Sequence, residues 1–91
     1  MAEDSRKQYL SLLTEIIAKE AVVLGPDIAI LKARSVAGLI VDNKGNVTDI
    51  KGDMPQTLLK LVDGYMELSG RIVKNTIDPI FEKYPQIKKI D

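Results

Sequence analysis

Apolar residues recur every three or four positions in the first part of the chain, which is the spacing of one face of an α-helix. The repeating positions are Tyr9, Leu10, Leu13, Ile16, Ile17, Ala21 and Leu24. Gly25 directly after this run suits a left-handed C-terminal cap, and Pro26 fits the first turn of a new helix. The pattern therefore predicts a first helix that begins at Asp4 or Ser5 and ends at Leu24.

The apolar segment that follows is bracketed by Pro26 and Gly38, which predicts a second helix from about Pro26 to Ala37. Its apolar residues over 27–31 are not strongly periodic, and short apolar runs also form strands. A strand over 27–31 is therefore the alternative. The proline at the start and the glycine at the end favour the helix.

Two short β-branched runs, Leu39 to Val41 and Val47 to Ile50, flank a turn rich in Asn, Asp and Gly. This arrangement predicts a β-hairpin at about 39–50. Because two strands alone are marginally stable in water, we expect the hairpin to lay one face on the helices or to pair its edge with another chain.

A third helix is predicted after the hairpin, because Asp53 followed by Gln56 has the form of an N-terminal capping box. The apolar face continues without a change of phase past Gly64 and Gly70, which predicts one long helix. Its apolar positions are Leu58, Leu61, Val62, Tyr65, Leu68, Ile72, Val73 and Ile77.

Asp78-Pro79 interrupts this pattern and predicts the start of a short final helix that contains Ile80, Phe81 and Tyr84. Pro85 ends that helix, and residues 86–91 are expected to form a frayed tail. The predicted fold class is mainly α: a small antiparallel bundle of three to four helices with one short hairpin, forming a single domain over residues 1–91.

Ninety-one residues leave room for one small core. A chain of this size buries a limited fraction of its apolar surface, so a partner that covers more of that surface is expected to add stability. The chain has one Phe, three Tyr and no Trp, and it is rich in isoleucine. This composition is compatible with a heat-tolerant protein.

Cysteine and histidine are both absent. Their absence excludes disulfides, the usual structural zinc sites, and Ser-His or Cys-His nucleophiles. We therefore expect no catalytic residue, no cofactor and no enzymatic activity.

Thirteen basic residues balance thirteen acidic ones, and the two signs are interleaved along the chain. Nucleic-acid binding is not expected, because a basic stripe with aromatic residues is missing. The first residues are charged, and the longest apolar stretch, Ala21 to Leu31, is interrupted and short. These features predict a cytoplasmic protein that neither enters a membrane nor carries an export signal.

Four oxygen-bearing side chains crowd the hairpin turn and its exit: Asp42, Asn46, Asp49 and Asp53. Oxygens of this kind bind calcium or magnesium. A calcium loop that begins at Asp42 needs a glycine at its sixth position and a glutamate at its twelfth, where Val47 and Asp53 stand. Turn and capping roles are favoured, and a metal remains the alternative.

The most favoured function is a small non-enzymatic protein-interaction module that binds a protein partner or itself as a homo-oligomer. Its predicted interface lies on the second helix and the hairpin and consists of Ile28, Leu31, Val36, Ile40, Val47 and Ile50. The alternative is a small-ligand binding or regulatory domain with a pocket between the helices and the hairpin. That pocket would be lined by Tyr65, Met66 and Ile72.

Overall fold

The computed structural model describes residues 2–70, 72–85 and 87. Within them the chain forms four helices and one hairpin, so the predicted mainly α fold class is confirmed. The elements are α1 (Ala2–Leu24), α2 (Pro26–Arg34), β1 (Leu39–Val41), β2 (Val47–Ile50), α3 (Met54–Ser69) and α4 (Ile72–Glu82). Residues 27–31 are helical rather than extended. None of the helices in these ranges combines the length and the apolar character that crossing a membrane requires.

One contiguous core is shared by all six elements. Its centre is formed by the inner face of α1, where Leu12, Leu13, Ile16 and Ile17 are buried. Tyr65 of α3 is also fully buried, with its ring in the core. The period of three and four residues that predicted α1 therefore marks the side of the helix that packs inward.

Neighbouring helices alternate in direction. On α2 and α3, Ala29 pairs with Tyr65 through a hydrogen bond, while Lys32 approaches the earlier residue Gly64. Later residues of α2 therefore contact earlier residues of α3, which makes the two helices antiparallel. Gly25 alone separates α1 from α2, so α1 ends where α2 begins. Because α2 and α3 are antiparallel, α3 ends at this same end of the bundle.

Helix α4 also runs antiparallel to α1. Tyr84, beyond the end of α4, donates a hydrogen bond to Glu15, and the earlier residue Ile80 lines a cavity with Ala18 and Val22. The start of α4 therefore lies toward the end of α1. The result is a bundle in which α1 and α3 finish where α2 and α4 begin.

The hairpin forms where it was predicted, with β1 antiparallel to β2 and an irregular register between Ile40 and Val41. Leu39, Val41, Val47 and Ile50 are buried against the helices, while Ile40 and Thr48 are exposed. On β1 this alternation is the period of two that a strand with one buried face requires. On β2 the buried Val47 and Ile50 are three residues apart, because the irregular register leaves Thr48 as an extra residue between the pairs Val41–Val47 and Ile40–Asp49.

Both outer edges of the hairpin accept or donate hydrogen bonds within the chain. On the β2 edge, the Val47 amide donates to Thr14 Oγ1 at 3.0 Å, and Arg6 donates to the Ile50 carbonyl at 3.3 Å. On the β1 edge, Arg34 Nε donates to the Val41 carbonyl at 3.3 Å. An edge whose polar groups are used in this way is a poor template for a strand of another chain.

Helix α2 ends at Arg34, three residues earlier than predicted. Ser35 is the reason, because its hydroxyl donates to the Lys32 carbonyl at 2.6 Å and its amide donates to the carbonyls of Leu31 and Lys32. A serine that bonds the backbone in this way favours a turn over a further helical turn.

The prediction of one long third helix is wrong, because the helix is divided at Gly70. Gly70 has φ 68° and ψ −145°, and its amide donates to the Met66 carbonyl at 2.8 Å. This backbone conformation is open to glycine and strained for other residues. The apolar phase continues into α4 because both helices bury a face in the same core, so periodicity alone did not reveal the break.

The prediction that Asp78-Pro79 starts a new helix is also wrong, because α4 continues through Pro79. Proline removes the amide that would bond the carbonyl four residues earlier, at Asn75. Asn75 and Pro79 are both exposed, so water reaches the freed carbonyl, while Ile77 and Ile80 on the other side are buried. Core packing outweighs the lost hydrogen bond.

The predicted frayed tail is largely outside the described residues. Within it, Ile87 is described: its side chain is buried in the core, and its amide donates to the Tyr84 carbonyl at 3.0 Å. Gln86 and residues 88–91 lie outside the described part of the chain.

Candidate interaction surface

Most of the large hydrophobic side chains that the described residues expose lie at one end of the bundle. Five of the seven occupy the terminal turns in which α1 and α3 finish and α2 and α4 begin. We call these five residues the apolar end: Val22, Val23, Ile28, Leu68 and Ile72. Scattered single exposed hydrophobics are ordinary in soluble proteins, whereas exposed hydrophobics concentrated in one place make a candidate interaction surface.

The two remaining exposed hydrophobics differ in their relation to the apolar end. Leu31 lies three residues after Ile28, so it extends the apolar end along the solvent side of α2. Ile40 lies on β1, on the solvent face of the hairpin. The exposed apolar surface is therefore continuous along the first turns of α2 and separate on the hairpin.

Charges of both signs border the apolar end. Lys32 Nζ lies 3.5 Å from a Glu67 carboxylate oxygen, across the groove between α2 and α3. Lys19 on α1 and Asp27 on α2 are exposed nearby in their helices. A rim of mixed charge is what the polar periphery of a protein–protein interface usually shows.

A buried carboxyl group is carried by α1 about one helical turn before the end of that helix. Glu20 of α1 is 0% exposed, and neither of its carboxylate oxygens has a hydrogen-bond partner. Burial raises the pKa of the Glu20 carboxyl above its ordinary value of 4.5, because the charged form loses its hydration without gaining a donor. The protein therefore keeps a costly polar group in its interior at this position.

Tyr65 on α3 is a titratable residue that interacts electrostatically with Glu20. Its hydroxyl donates to the Ala29 carbonyl at 2.6 Å, so it does not satisfy the carboxyl group. Burial, and then the Glu20 charge, raise the pKa of the Tyr65 phenol above its ordinary value of 10. The Ser69 hydroxyl oxygen, at the end of α3, is a third buried oxygen without a partner among the described residues. Two unsatisfied polar side chains thus accompany the apolar end.

The structure divides the predicted interface residues into two groups. Ile28, Leu31 and Ile40 are exposed, and the first two lie on α2 at or beside the apolar end. Val36, Val47 and Ile50 are buried in the core, where they hold the hairpin against the helices. The buried three stabilise the fold and present no surface to a partner.

The predicted ligand-pocket residues do not share one environment. Tyr65 is fully buried, Met66 is half-buried, and Ile72 is exposed at the first position of α4. Gly70 separates Ile72 from the helix that carries the other two, because the chain turns there. The three side chains are therefore not brought together around a common space.

The largest described cavity is a different, open groove of about 590 Å³ beside α1. Within it, Glu15 accepts a hydrogen bond from Lys83 Nζ at 2.9 Å and another from the Tyr84 hydroxyl. Both bonds lower the pKa of the Glu15 carboxyl, and the bond from Tyr84 has the larger effect. Burial and the contact with Glu15 raise the pKa of the Tyr84 phenol to about 12. The polar groups of this groove satisfy one another and tie the end of α4 to α1.

The acidic residues of the hairpin turn are engaged in local structure. Asp42 accepts hydrogen bonds from the amides of Lys44 and Asn46, which hold the pKa of its carboxyl below the usual range. Asp49 pairs with Arg6, and Asp53 caps the start of α3. These contacts explain why acidic residues occur here.

The burial of Glu20 is indicated by the sequence, although the apolar spacing of α1 does not include this residue. Glu20 lies four residues after Ile16, three after Ile17 and four before Leu24, so it occupies the apolar face of α1. A charged residue on such a face predicts either a buried pair or a perturbed carboxyl group. Leu68 was missed as a surface residue because it continues the apolar phase of α3.

Comparisons with protein-family models, with curated proteins and with solved structures find no match to this chain.

Proposed function

We propose that the protein is a small self-associating interaction module and that two copies meet through the apolar end. The observation that carries this proposal is the position of the exposed large hydrophobics, five of seven of which occupy the terminal turns at one end of the bundle. Covering such side chains removes apolar surface from water, which is the main driving force of association.

A second copy of the chain is a suitable partner for the apolar end, because the charges around this surface allow it to face itself. The chain has a formal net charge of zero, so two copies do not repel each other strongly. In a two-fold dimer the same patch faces itself, which requires both signs of charge around the rim. Lys32 with Glu67, and Lys19 with Asp27, provide both signs.

The size of the apolar end indicates a weak dimer. The Cα atoms extend 34 × 25 × 18 Å, and α1, at 23 residues, accounts for the long dimension. The end of the bundle therefore has a cross-section of about 450 Å² between Cα atoms. Stable dimers cover about 800 Å² of each partner, so this contact falls in the transient class unless Leu31 adds the flank of α2.

Sedimentation velocity over protein concentrations from about 1 µM to 1 mM tests the proposal. We expect the average mass to rise from the single-chain value of 10.1 kDa toward twice that value as the concentration increases. Leu68→Lys should move this transition to much higher concentration, since it places a charge in the contact.

Ile40→Lys provides the matched control. Ile40 is 43% exposed and Leu68 is 49% exposed, so the two substitutions affect similarly accessible side chains. Circular dichroism should show that both variants keep the native helix content. A chain that stays at 10.1 kDa throughout, or one in which Ile40→Lys weakens association as much as Leu68→Lys, would show the proposal to be wrong.

A further inference from the structure

Glu20 lies in the last two turns of α1, whose end carries two residues of the surface that the proposed dimer covers, Val22 and Val23. Glu20 is four residues before Leu24, where α1 ends, which places it about 6 Å below that end along the helix axis. Its side chain is fully buried, and both carboxylate oxygens lack a hydrogen-bond donor. Glu20 therefore combines an unpartnered carboxyl group in the core with a backbone position about one helical turn from the end of α1.

Neighbouring elements supply no hydrogen bond to this carboxyl group among the described residues. On α3 the Tyr65 hydroxyl is committed to Ala29, and the Ser69 hydroxyl is unpartnered. The four helices also carry other charged or titratable residues in this part of the bundle. They are Lys19 on α1, Asp27 and Lys32 on α2, Tyr65 and Glu67 on α3, and Lys74 and Asp78 on α4. Of these, Lys32 and Glu67 pair with each other.

We propose that self-association is linked to proton uptake at Glu20, so that two copies hold together more tightly in acid than at neutral or alkaline pH. This inference rests on the proposed function. When a second copy covers the apolar end, it removes water from a surface about one helical turn away from Glu20 and lowers the local dielectric constant. The charged form loses more from that change than the neutral form, so the dimer binds the proton more strongly than the single chain.

The direction of the pH dependence follows from this difference. Burial already raises the pKa of Glu20 above 4.5 in the single chain, and covering the apolar end raises it further. Between these two folded-state values the dimer holds more protons than two separate chains, so the association constant falls as pH rises. Each copy contributes one Glu20, so for each unit by which association raises the pKa the association constant falls by about tenfold per Glu20, or about a hundredfold for the two copies together. Above and below this window, Glu20 contributes no pH dependence.

The test is sedimentation equilibrium at intervals from pH 5 to pH 8 on the full chain, Glu20→Gln and Glu82→Gln. We expect the association constant of the unaltered protein to fall several-fold as pH rises. Glu20→Gln, which cannot ionise, should lose this dependence. Glu82→Gln, which changes an exposed carboxylate at the opposite end of α4 from Ile72, should retain it. Glu20→Met serves as a second non-ionising variant in case the glutamine amide disturbs the core.

The outcomes separate this inference from the proposed function. Association with the same pH dependence in Glu20→Gln and Glu20→Met, or with none in the unaltered protein, would overturn the link to Glu20 and leave self-association standing. Absence of association at every pH would overturn both. Carboxyl ¹³C titration of Glu20 at low and high protein concentration gives an independent reading, because the link requires a higher pKa in the concentrated sample.

Discussion

The Tyr65 hydroxyl donates a hydrogen bond of 2.6 Å to the Ala29 carbonyl oxygen, and this bond joins α3 to α2 inside the core. Since the bond is buried, water cannot replace it. Tyr65→Phe should lower the free energy of unfolding by about 1–2 kcal/mol, measured by urea denaturation. Tyr84→Phe should cost less, because Tyr84 is half-buried and water reaches its site. Equal losses in the two variants would contradict a special role for the buried bond.

Replacing Glu20 with methionine should stabilise the protein at neutral and alkaline pH. Methionine keeps the length of the side chain and removes two buried oxygens that have no partner. We expect a gain of about 1–3 kcal/mol in the free energy of unfolding. Urea denaturation in dilute protein, where the proposed dimer is dissociated, measures the effect of the substitution on the single chain.

The stabilisation by Glu20→Met should also depend on pH with a definite sign. The folded pKa of Glu20 is raised above 4.5, so the unfolded chain loses this proton first as pH increases. Between pH 4.5 and the raised value, the unaltered protein therefore loses stability relative to the variant. The difference should grow with pH and then level off. A difference that shrinks as pH rises would contradict the burial of an unpaired carboxyl group.

Substitutions at two glycines should change the stability by different amounts, because their backbones differ. Gly70→Ala places a side chain at φ 68° and ψ −145°, and we expect a loss of about 1–3 kcal/mol. Gly64 is helical, and a Cβ atom there lies 2.8 Å from the flexible Cε of Lys32. Gly64→Ala should weaken the ion pair between Lys32 and Glu67 and add about 1 kcal/mol of helix propensity. We therefore expect a small net change in the free energy of unfolding. Thermal denaturation compares the two, and a larger loss at Gly64 would contradict the division of the helix at Gly70.

The order of the elements was predictable because each local pattern agreed with the tertiary packing. The spacing in α1, the proline and glycine around α2 and the turn residues of the hairpin all indicated the elements that form. Hairpin residues 39–41 and 47–50 are extended as predicted. Burial of Leu39 and Val41 on one face follows from the same alternation.

The helix boundaries near Gly70 and Pro79 could not be predicted, because both depend on what surrounds them. Gly70 divides two helices that bury the same apolar phase, so the sequence pattern does not change there. Pro79 stays within α4 because its exposed side tolerates the missing hydrogen bond.

The candidate surface was predictable only in part. The sequence indicates Ile28 and Leu31 as interface residues. It does not indicate that Leu68 and Ile72 lie at the same end of the bundle, because that proximity arises from the alternating directions of the helices. Val36, Val47 and Ile50 were named because they are apolar, yet the same property places them in the core. Apolar side chains inside and outside a fold look alike until the packing is known.

The most direct test of the central claim is the distance between copies at the apolar end. The chain has no cysteine, so a single Ile72→Cys or Ile40→Cys substitution carries one spin label in a unique place. Pulsed electron paramagnetic resonance at high protein concentration measures the separation of the labels in the associated protein. We predict a shorter distance between labels at position 72, on the apolar end, than between labels at position 40, on the hairpin. A shorter distance at position 40, or no distance between copies at either position, would contradict self-association through the apolar end.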